Sequence, residues 1–326
     1  MTDRTTNHSE HTDGGEASGG ERTGFVNLEH APVGRPITRL GISFFPIYLP
    51  GNELPPIATG GEAAWEVDEL DHAEVSALQV LNRKEIPILL LEGQQFVGGK
   101  QNRVINVNVL IPAAARLRIP VSCLEAGRWG RRRDFTHAKT FSPRQARRTV
   151  EESVARRVMA PGRSPRDRRS DQGAVWARVE ERLDAMGVAA AAPTSAMAAA
   201  EAVFERDRRR GDAVEELSGL GPLPGQCGFV VTHGPRVVAT EIFGAPELLR
   251  AHWSALIRSY LMEPPTARGR PSTDYVLRAL SGITHAVCRV EPGLGLGEER
   301  HVRNRKGVGQ ALLLDGATVR ATVLTR

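Results

Sequence analysis

The 326-residue sequence holds only three cysteines, Cys123, Cys227 and Cys288, and no two of them stand at a C-x-x-C interval. An odd, scattered set argues against a disulfide framework and against a cysteine-based zinc site, and H-E-x-x-H is also missing. No run approaches the roughly 18 consecutive apolar residues of a membrane span, and residues 1–36 carry no apolar signal-peptide core. A cytoplasmic protein without membrane contact is therefore expected. The nucleotide-binding signatures fail on spacing. Gly93-Gln-Gln-Phe-Val-Gly98-Gly99-Lys100-Gln101 superficially resembles a P-loop, but its first glycine lies one residue too far from Lys100, and Gln101 stands where a Ser/Thr is required. Gly293, Gly295 and Gly297 have the wrong interval for G-x-G-x-x-G, G-x-S-x-G is absent, and there is no repeat of solenoid period.

What is present is an ordinary globular balance, 40% hydrophobic and 25% charged, in a length suited to about two domains of roughly 150 residues. The net charge of +5 is unevenly placed: residues 128–169 hold 14 Lys/Arg against 4 Asp/Glu, so the rest of the chain is acidic. Residues 1–36, rich in Gly, Ser, Thr and charge, read as a disordered tail.

From Ile37 short β-branched and aliphatic runs separated by Pro, Gly and Asn predict an antiparallel β unit, a sandwich or partly open barrel, over 37–130. Within it Ile105, Val107, Val109 and Ile111 alternate onto one apolar strand face. Residues 131–210 form a basic, helical segment. Ser142-Pro143 starts one helix there, Val175, Trp176, Val179 and Leu183 mark a second, and residues 195–210 a third. Residues 211–326 predict hairpins with packed helices. GFVVTH and RVVATEIF turn at His233-Gly234-Pro235, a helix carries the stripe Leu248, Leu249, Trp253, Leu256, Ile257 and Tyr260, a short helix lies near 273–281, and the last two strands meet at Asp315-Gly316. The fold class expected is α+β.

Three clusters can carry chemistry. In the first, an apolar strand ends at Glu92, followed by Gly98, Gly99, Lys100, Gln101, Asn102 and Arg103. Amides freed by the glycines, with Lys100 and Arg103, suit a phosphate or carboxylate, and Gln101 and Asn102 suit a ribose or base edge. The plainer reading is a hairpin with a glycine bulge in which Glu92 pairs with Arg103. In the second, Cys123, Glu125, Arg128 and Trp129 follow another strand: Cys123 is a nucleophile beside arginine or a buried thiol, and the others are the rim of a mouth. In the third, Glu298 and Glu299 follow a glycine-rich bend, as metal ligands, as acid and base, or as a solvated turn. His233 and His252 have no partner spacing. The basic run 128–169 offers a footprint for RNA or an acidic protein, or a solvated arginine-rich linker.

At Glu92-Gly93, at Gly98-Gly99-Lys100-Gln101-Asn102-Arg103 and across Ile119-Pro-Val-Ser-Cys123-Leu-Glu125-Ala-Gly127-Arg128-Trp129, the sequence resembles a bacterial family. This is the ARG and Rhodanese-Phosphatase-superfamily-associated Protein domain, ARG denoting ADP-ribosylglycohydrolase. The resemblance extends over about residues 37–320, with the hairpin GFVVTHGPRVVATEIF and its following helix as a second block. It implies an association with ADP-ribose or NAD-derived nucleotides, and a histidine in the last strand, where this chain has Ala-Thr-Val-Leu after Arg320. The combined expectation is a nucleotide site: Lys100 and Arg103 on the pyrophosphate, Gln101 and Asn102 on the ribose or base, Arg128 and Trp129 on the rim. Glu92, Glu125 or Cys123 would serve a hydrolytic or transfer step. No cofactor or metal is read from the sequence. The alternative is a non-catalytic module that contacts RNA or an acidic protein through 128–169.

Overall fold

The computed structural model describes residues 20–63, 65–70, 76–123, 134–162, 164, 167–185 and 206–326. The strands are β1 (Glu21–Thr23), β2 (Ile37–Arg39), β3 (Ile42–Ile47), β4 (Ala58–Thr59), β5 (Trp65–Glu69), β6 (Ala77–Asn82), β7 (Ile88–Leu90), β8 (Gln95–Val97) and β9 (Arg103–Ile105). They continue with β10 (Val109–Ile111), β11 (Arg116–Cys123), β12 (Thr136–His137), β13 (Gly228–His233), β14 (Arg236–Phe243), β15 (Val287–Pro292), β16 (Glu298–Arg303), β17 (Gly307–Leu314) and β18 (Ala317–Thr325). The helices are α1 (Arg144–Val158), α2 (Gln172–Ala185), α3 (Arg208–Leu220), α4 (Pro246–Leu261) and α5 (Thr273–Thr284). The fold is α+β, and no helix among the described residues is long and apolar enough to cross a membrane.

Nine strands form one antiparallel sheet, in the order β1-β15-β16-β17-β18-β14-β13-β3-β2. Both faces are covered, which is why β3 is apolar and buried at almost every position: Phe44 enters the core beneath α4, while Phe45 enters the core beneath α5. The stripe predicted on α4 is the face it buries, with Pro246 in its first turn, where a missing N–H costs nothing. A second β unit contains the sheets β12-β8-β9-β11-β6-β5 and β10-β7-β4. Helix α1 lies between the two units, giving Val150, Val154 and Val158 to the core of the second and resting its other side on β16, β17 and β18.

Several local readings change. The strands β2 and β3 leave the N-terminal β unit and pair with the large sheet, Ile42 opposite His233 through Ile47 opposite Gly228. The continuous strand read over 103–111 is broken into β9 and β10, because Asn106 and Asn108 turn their amides onto Arg168 O and Gln310 Oε1. Of the tail, residues 20–36 are structured: β1 pairs with β15, and Phe25, Val26 and Leu28 are core residues. Helix α1 begins at Arg144 with Pro143 as its N-cap, and the Ser142 hydroxyl makes no cap bond. The helix expected over 195–210 lies mostly outside the described residues. Glu298 and Glu299 stand on a strand, β16, and not in a solvated turn.

Candidate functional site

Glu92 follows β7, and Gly93 beside it has φ +76°, the left-handed region that glycine enters freely. A Cβ at Gly93 would sit 2.5 Å from Arg147 Nε. The glycine thus opens the path by which Arg147, on α1, reaches its neighbour. The Arg147 Nε donates to Glu92 Oε2 at 3.2 Å and its Nη2 to Glu92 Oε1, while Nη1 donates to Glu241 Oε1 on β14 at 2.7 Å. Glu241 also accepts from Tyr260, Arg320 and, at 3.3 Å, the Thr322 hydroxyl. Arg320 further donates to Ile242 O and Ala321 O and stacks 4.2 Å from the centre of the Phe243 ring.

This group is sealed: Arg147, Glu241 and Arg320 are all 0% exposed. Burial alone would raise the Glu241 carboxyl, but the Arg147 and Arg320 charges outweigh it and hold it at about 2. Glu151, one turn along α1 from Arg147, is the exception. Burial, reinforced by the Glu92 charge, pushes its carboxyl well above the usual range, although the Arg147 charge and the Gln310 side chain pull the other way. Sequence reading missed Arg147, Glu151, Glu241, Tyr260 and Arg320. The available signal was that Arg147 shares the inward stripe of α1 with Val150 and Val154, an odd place for a solvated arginine. The pairing of Glu92 with Arg103 is overturned, since Arg147 takes the Glu92 carboxylate. Glu92 belongs to this interior group, not to an accessible site.

The Gly98–Arg103 loop is a separate place. Gly98 (φ +135°) and Gly99 (φ +58°) press against Asp134 O and the Phe135 ring, where no side chain would fit. The Asn102 Oδ1 accepts the Gly98 N–H at 3.1 Å, and Glu69 Oε1 accepts the Lys100 N–H at 2.9 Å. Gln101 Oε1 accepts from Arg103 Nη1 at 3.1 Å and from Cys123 Sγ at 2.9 Å. Arg103 lies opposite Cys123 in the β9–β11 ladder, so the two sequence clusters meet here. Gln172 of α2 closes this corner, donating to Cys123 O and accepting Cys123 N–H.

Arg103 is 3% exposed, and its charge is poorly matched. Its nearest carboxylate among the described residues is Glu69 at 4.0 Å, its Nη1 faces neutral acceptors, and its Nε has no acceptor. The Lys100 ammonium makes no ion pair among the described residues. Glu125, Arg128 and Trp129 lie outside the described residues.

The remaining candidates are structural. Glu299 accepts from Arg168 Nε at 2.6 Å and pairs with His301 at 3.0 Å; burial would raise its carboxyl, but Arg168 and His301 bring it below the usual range. Glu298 pairs with Arg300. His233 is buried against Thr266, and His252 against Thr59. In the basic run, Arg144, Arg147 and Arg168 turn inward, to Glu263, to Glu92 and Glu241, and to Glu299. The picture of a wholly solvated arginine linker fails at these three of the run's 14 Lys/Arg, which are not available to a phosphate backbone. Among the described residues no group of three or more His, Cys, Asp or Glu is arranged to hold a metal ion.

Comparison with known proteins gives one family match: the model of the ARG and Rhodanese-Phosphatase-superfamily-associated Protein domain matches residues 30–324. No curated protein and no solved structure matches the chain.

Proposed function

The chain belongs to that family, and from this premise we propose that it binds an ADP-ribose or NAD-derived nucleotide, in the cytoplasm, through the Gly98–Arg103 loop. The observation that supports the reading is Arg103, a buried guanidinium which among the described residues has no acceptor for its Nε–H and no carboxylate closer than 4.0 Å. Buried charge is tolerated when it is paired, so a guanidinium under-matched among the described residues, three positions from a lysine that makes no ion pair among them, favours an incoming anion, and a pyrophosphate supplies one. Gly98 and Gly99 keep the backbone close to Phe135, and Lys100 projects from the same turn. Gln101 and Asn102 contribute by holding Arg103 and the turn. A hydrolytic or transfer step at a glycosidic or phosphate bond would fall to Glu125 or Cys123, because Glu92 is committed to Arg147. Arg128 and Trp129 complete the proposed rim.

The test is a calorimetric and thermal-shift titration of the full chain with ADP-ribose, NAD, AMP and a short RNA, with and without magnesium. The expected result is saturable stabilisation by ADP-ribose or NAD, near 2.7 kcal/mol at about 100 times the dissociation constant, at least tenfold weaker in Lys100→Ala. Unchanged affinity in Lys100→Ala and in Arg103→Gln would overturn the assignment. Binding by RNA alone, falling steeply between about 50 and 200 mM salt, would move function to the basic 128–169 segment.

A further inference from the structure

On the opposite side of the large sheet from α4, helix α5 does not cover the strands completely. It leaves a crevice of ≈ 430 Å³ against β14, β18 and the turn between β16 and β17, within the usual range of small-molecule sites. None of its lining comes from the second β unit, so it is separate from the Gly98–Arg103 loop. Its floor is apolar, built from Phe25, Val237, Ile283, Val302 and Val323. Its rim carries three cations, Arg278, Arg305 and Lys306, and no carboxylate lines it. Arg278 lies 4.7 Å from the centre of the Tyr275 ring, and none of the three makes an ion pair among the described residues.

The polar lining is nearly spent on the protein itself. Thr325 donates its hydroxyl to Val237 O, and Asn304 Oδ1 accepts the Lys306 and Gly307 amides. Among the described residues that leaves the Thr240 hydroxyl as the one side-chain oxygen of the lining not so engaged, so the lining offers chiefly N–H donors, from Asn304 and the three cations, a set suited to an anionic acceptor. A greasy floor beneath an unbalanced cationic rim matches a molecule that is apolar along its length and anionic at one end.

Gly282, in the last turn of α5, lines this space, and a Cβ added there meets nothing within 4 Å. Glycine weakens a helix interior by roughly 0.5–1 kcal/mol relative to alanine. The room beside Gly282 is space that a larger side chain at this position would enter.

We propose that the crevice between α5 and the β14–β18 face binds a single-chain anionic amphiphile, with its alkyl chain on the Phe25–Val323 floor and its carboxylate or phosphate head at Arg278, Arg305 and Lys306. Two sources share this chemistry, a free amphiphile and an anionic lipid surface, and the proposal commits to the free molecule.

The full-length protein is titrated by calorimetry with octanoate, decanoate and dodecanoate below their micelle concentrations. Dodecylammonium and phosphatidylglycerol vesicles are run beside them. The expected result is one site per chain, tightening about fourfold per added methylene until the crevice is filled, with dodecylammonium at least tenfold weaker than dodecanoate. Gly282→Leu is expected to weaken dodecanoate binding at least tenfold with an undiminished melting temperature. Arg305→Glu combined with Lys306→Glu, both on an exposed turn, reads the head group without touching the core, and is expected to remove the preference for dodecanoate over dodecylammonium. Equal dodecanoate affinity in the wild type and in both variants overturns the proposal. So does equal binding of the cationic amphiphile by the wild type, or co-sedimentation with vesicles that Gly282→Leu leaves unchanged while dodecanoate shows no saturable binding.

Discussion

Replacing Arg147 with methionine keeps much of the buried stem and deletes the guanidinium that joins the two β units. In the native protein that group gives two hydrogen bonds to Glu92 and one to Glu241. The losses are unequal. Glu241 keeps Arg320, Tyr260 and Thr322, whereas Glu92 is left with Arg320 at 4.0 Å. The variant therefore strands one buried carboxylate, and removing one partner of a buried pair typically costs about 3–5 kcal/mol. Against a total stability of roughly 5–15 kcal/mol this is a large fraction, read as a fall in melting temperature of about 5–15 °C. The paired substitution Arg147→Met with Glu92→Met removes both charges, and hydrophobic replacement of a whole buried pair is often neutral. It should recover more than half of the loss in a double-mutant cycle from urea melts. A single variant within about 1 kcal/mol of wild type, or a double variant no better than the single, would falsify the view that Arg147 chiefly neutralises Glu92.

Two further variants probe the same interior. Gly93→Ala places a methyl group 2.5 Å from Arg147 Nε on a backbone with φ +76°, and should cost more than about 1 kcal/mol in chemical denaturation; a neutral result would mean that Arg147 has another route to Glu92. The Glu151 carboxyl titrates above its unfolded value because of burial and the Glu92 charge, so the stability it contributes is present below about pH 4.5 and lost as pH rises. Glu151→Gln mimics the neutral acid and should gain over wild type progressively as pH rises above about 4.5, and a stability difference independent of pH rules this out. Glu241 acts with the opposite sign. Its carboxyl is depressed to about 2, so roughly 3 kcal/mol of stability present above pH 4.5 is lost as pH falls through that value, which urea melts between pH 5 and pH 2 measure. Flat stability across that range contradicts the assignment.

The elements that could be read from the sequence were those specified by local pattern. The α4 stripe, the β13–β14 hairpin at Gly234-Pro235 and the final hairpin at Asp315-Gly316 all form as periodicity and turn chemistry require. What could not be read depends on residues far apart in the chain. Strand β3 looks like its sequence neighbours, and only β13, some 180 positions on, takes it into the large sheet. Glu-Glu-Arg-His-Val-Arg looks like a polar turn, yet forms β16, where Arg168 pairs with Glu299 and His301 hydrogen-bonds to it inside the sheet. The meeting of Gln101 and Arg103 with Cys123 is likewise a product of β9–β11 pairing, and neither motif alone announces it.

Charge matching separates the two places that the sequence presented as one. In the interior, Arg147 and Arg320 face the carboxylates of Glu92 and Glu241, so these positive and negative groups cancel. A closed, balanced set of this kind gains nothing from an anion, and any ligand would have to displace an existing partner of a fully buried guanidinium. At the loop, Arg103 has a single carboxylate within ion-pair distance among the described residues, Glu69, which lies at the far limit of a pair while already accepting the Lys100 backbone amide, and the Lys100 ammonium makes no ion pair among them. The Glu-Gly motif and the Gly-Gly-Lys-Gln-Asn-Arg motif therefore do different work. The first fastens α1 between the β units. The second leaves positive charge poorly matched among the described residues, which is why the proposed ligand site is to be tested there and not at Glu92.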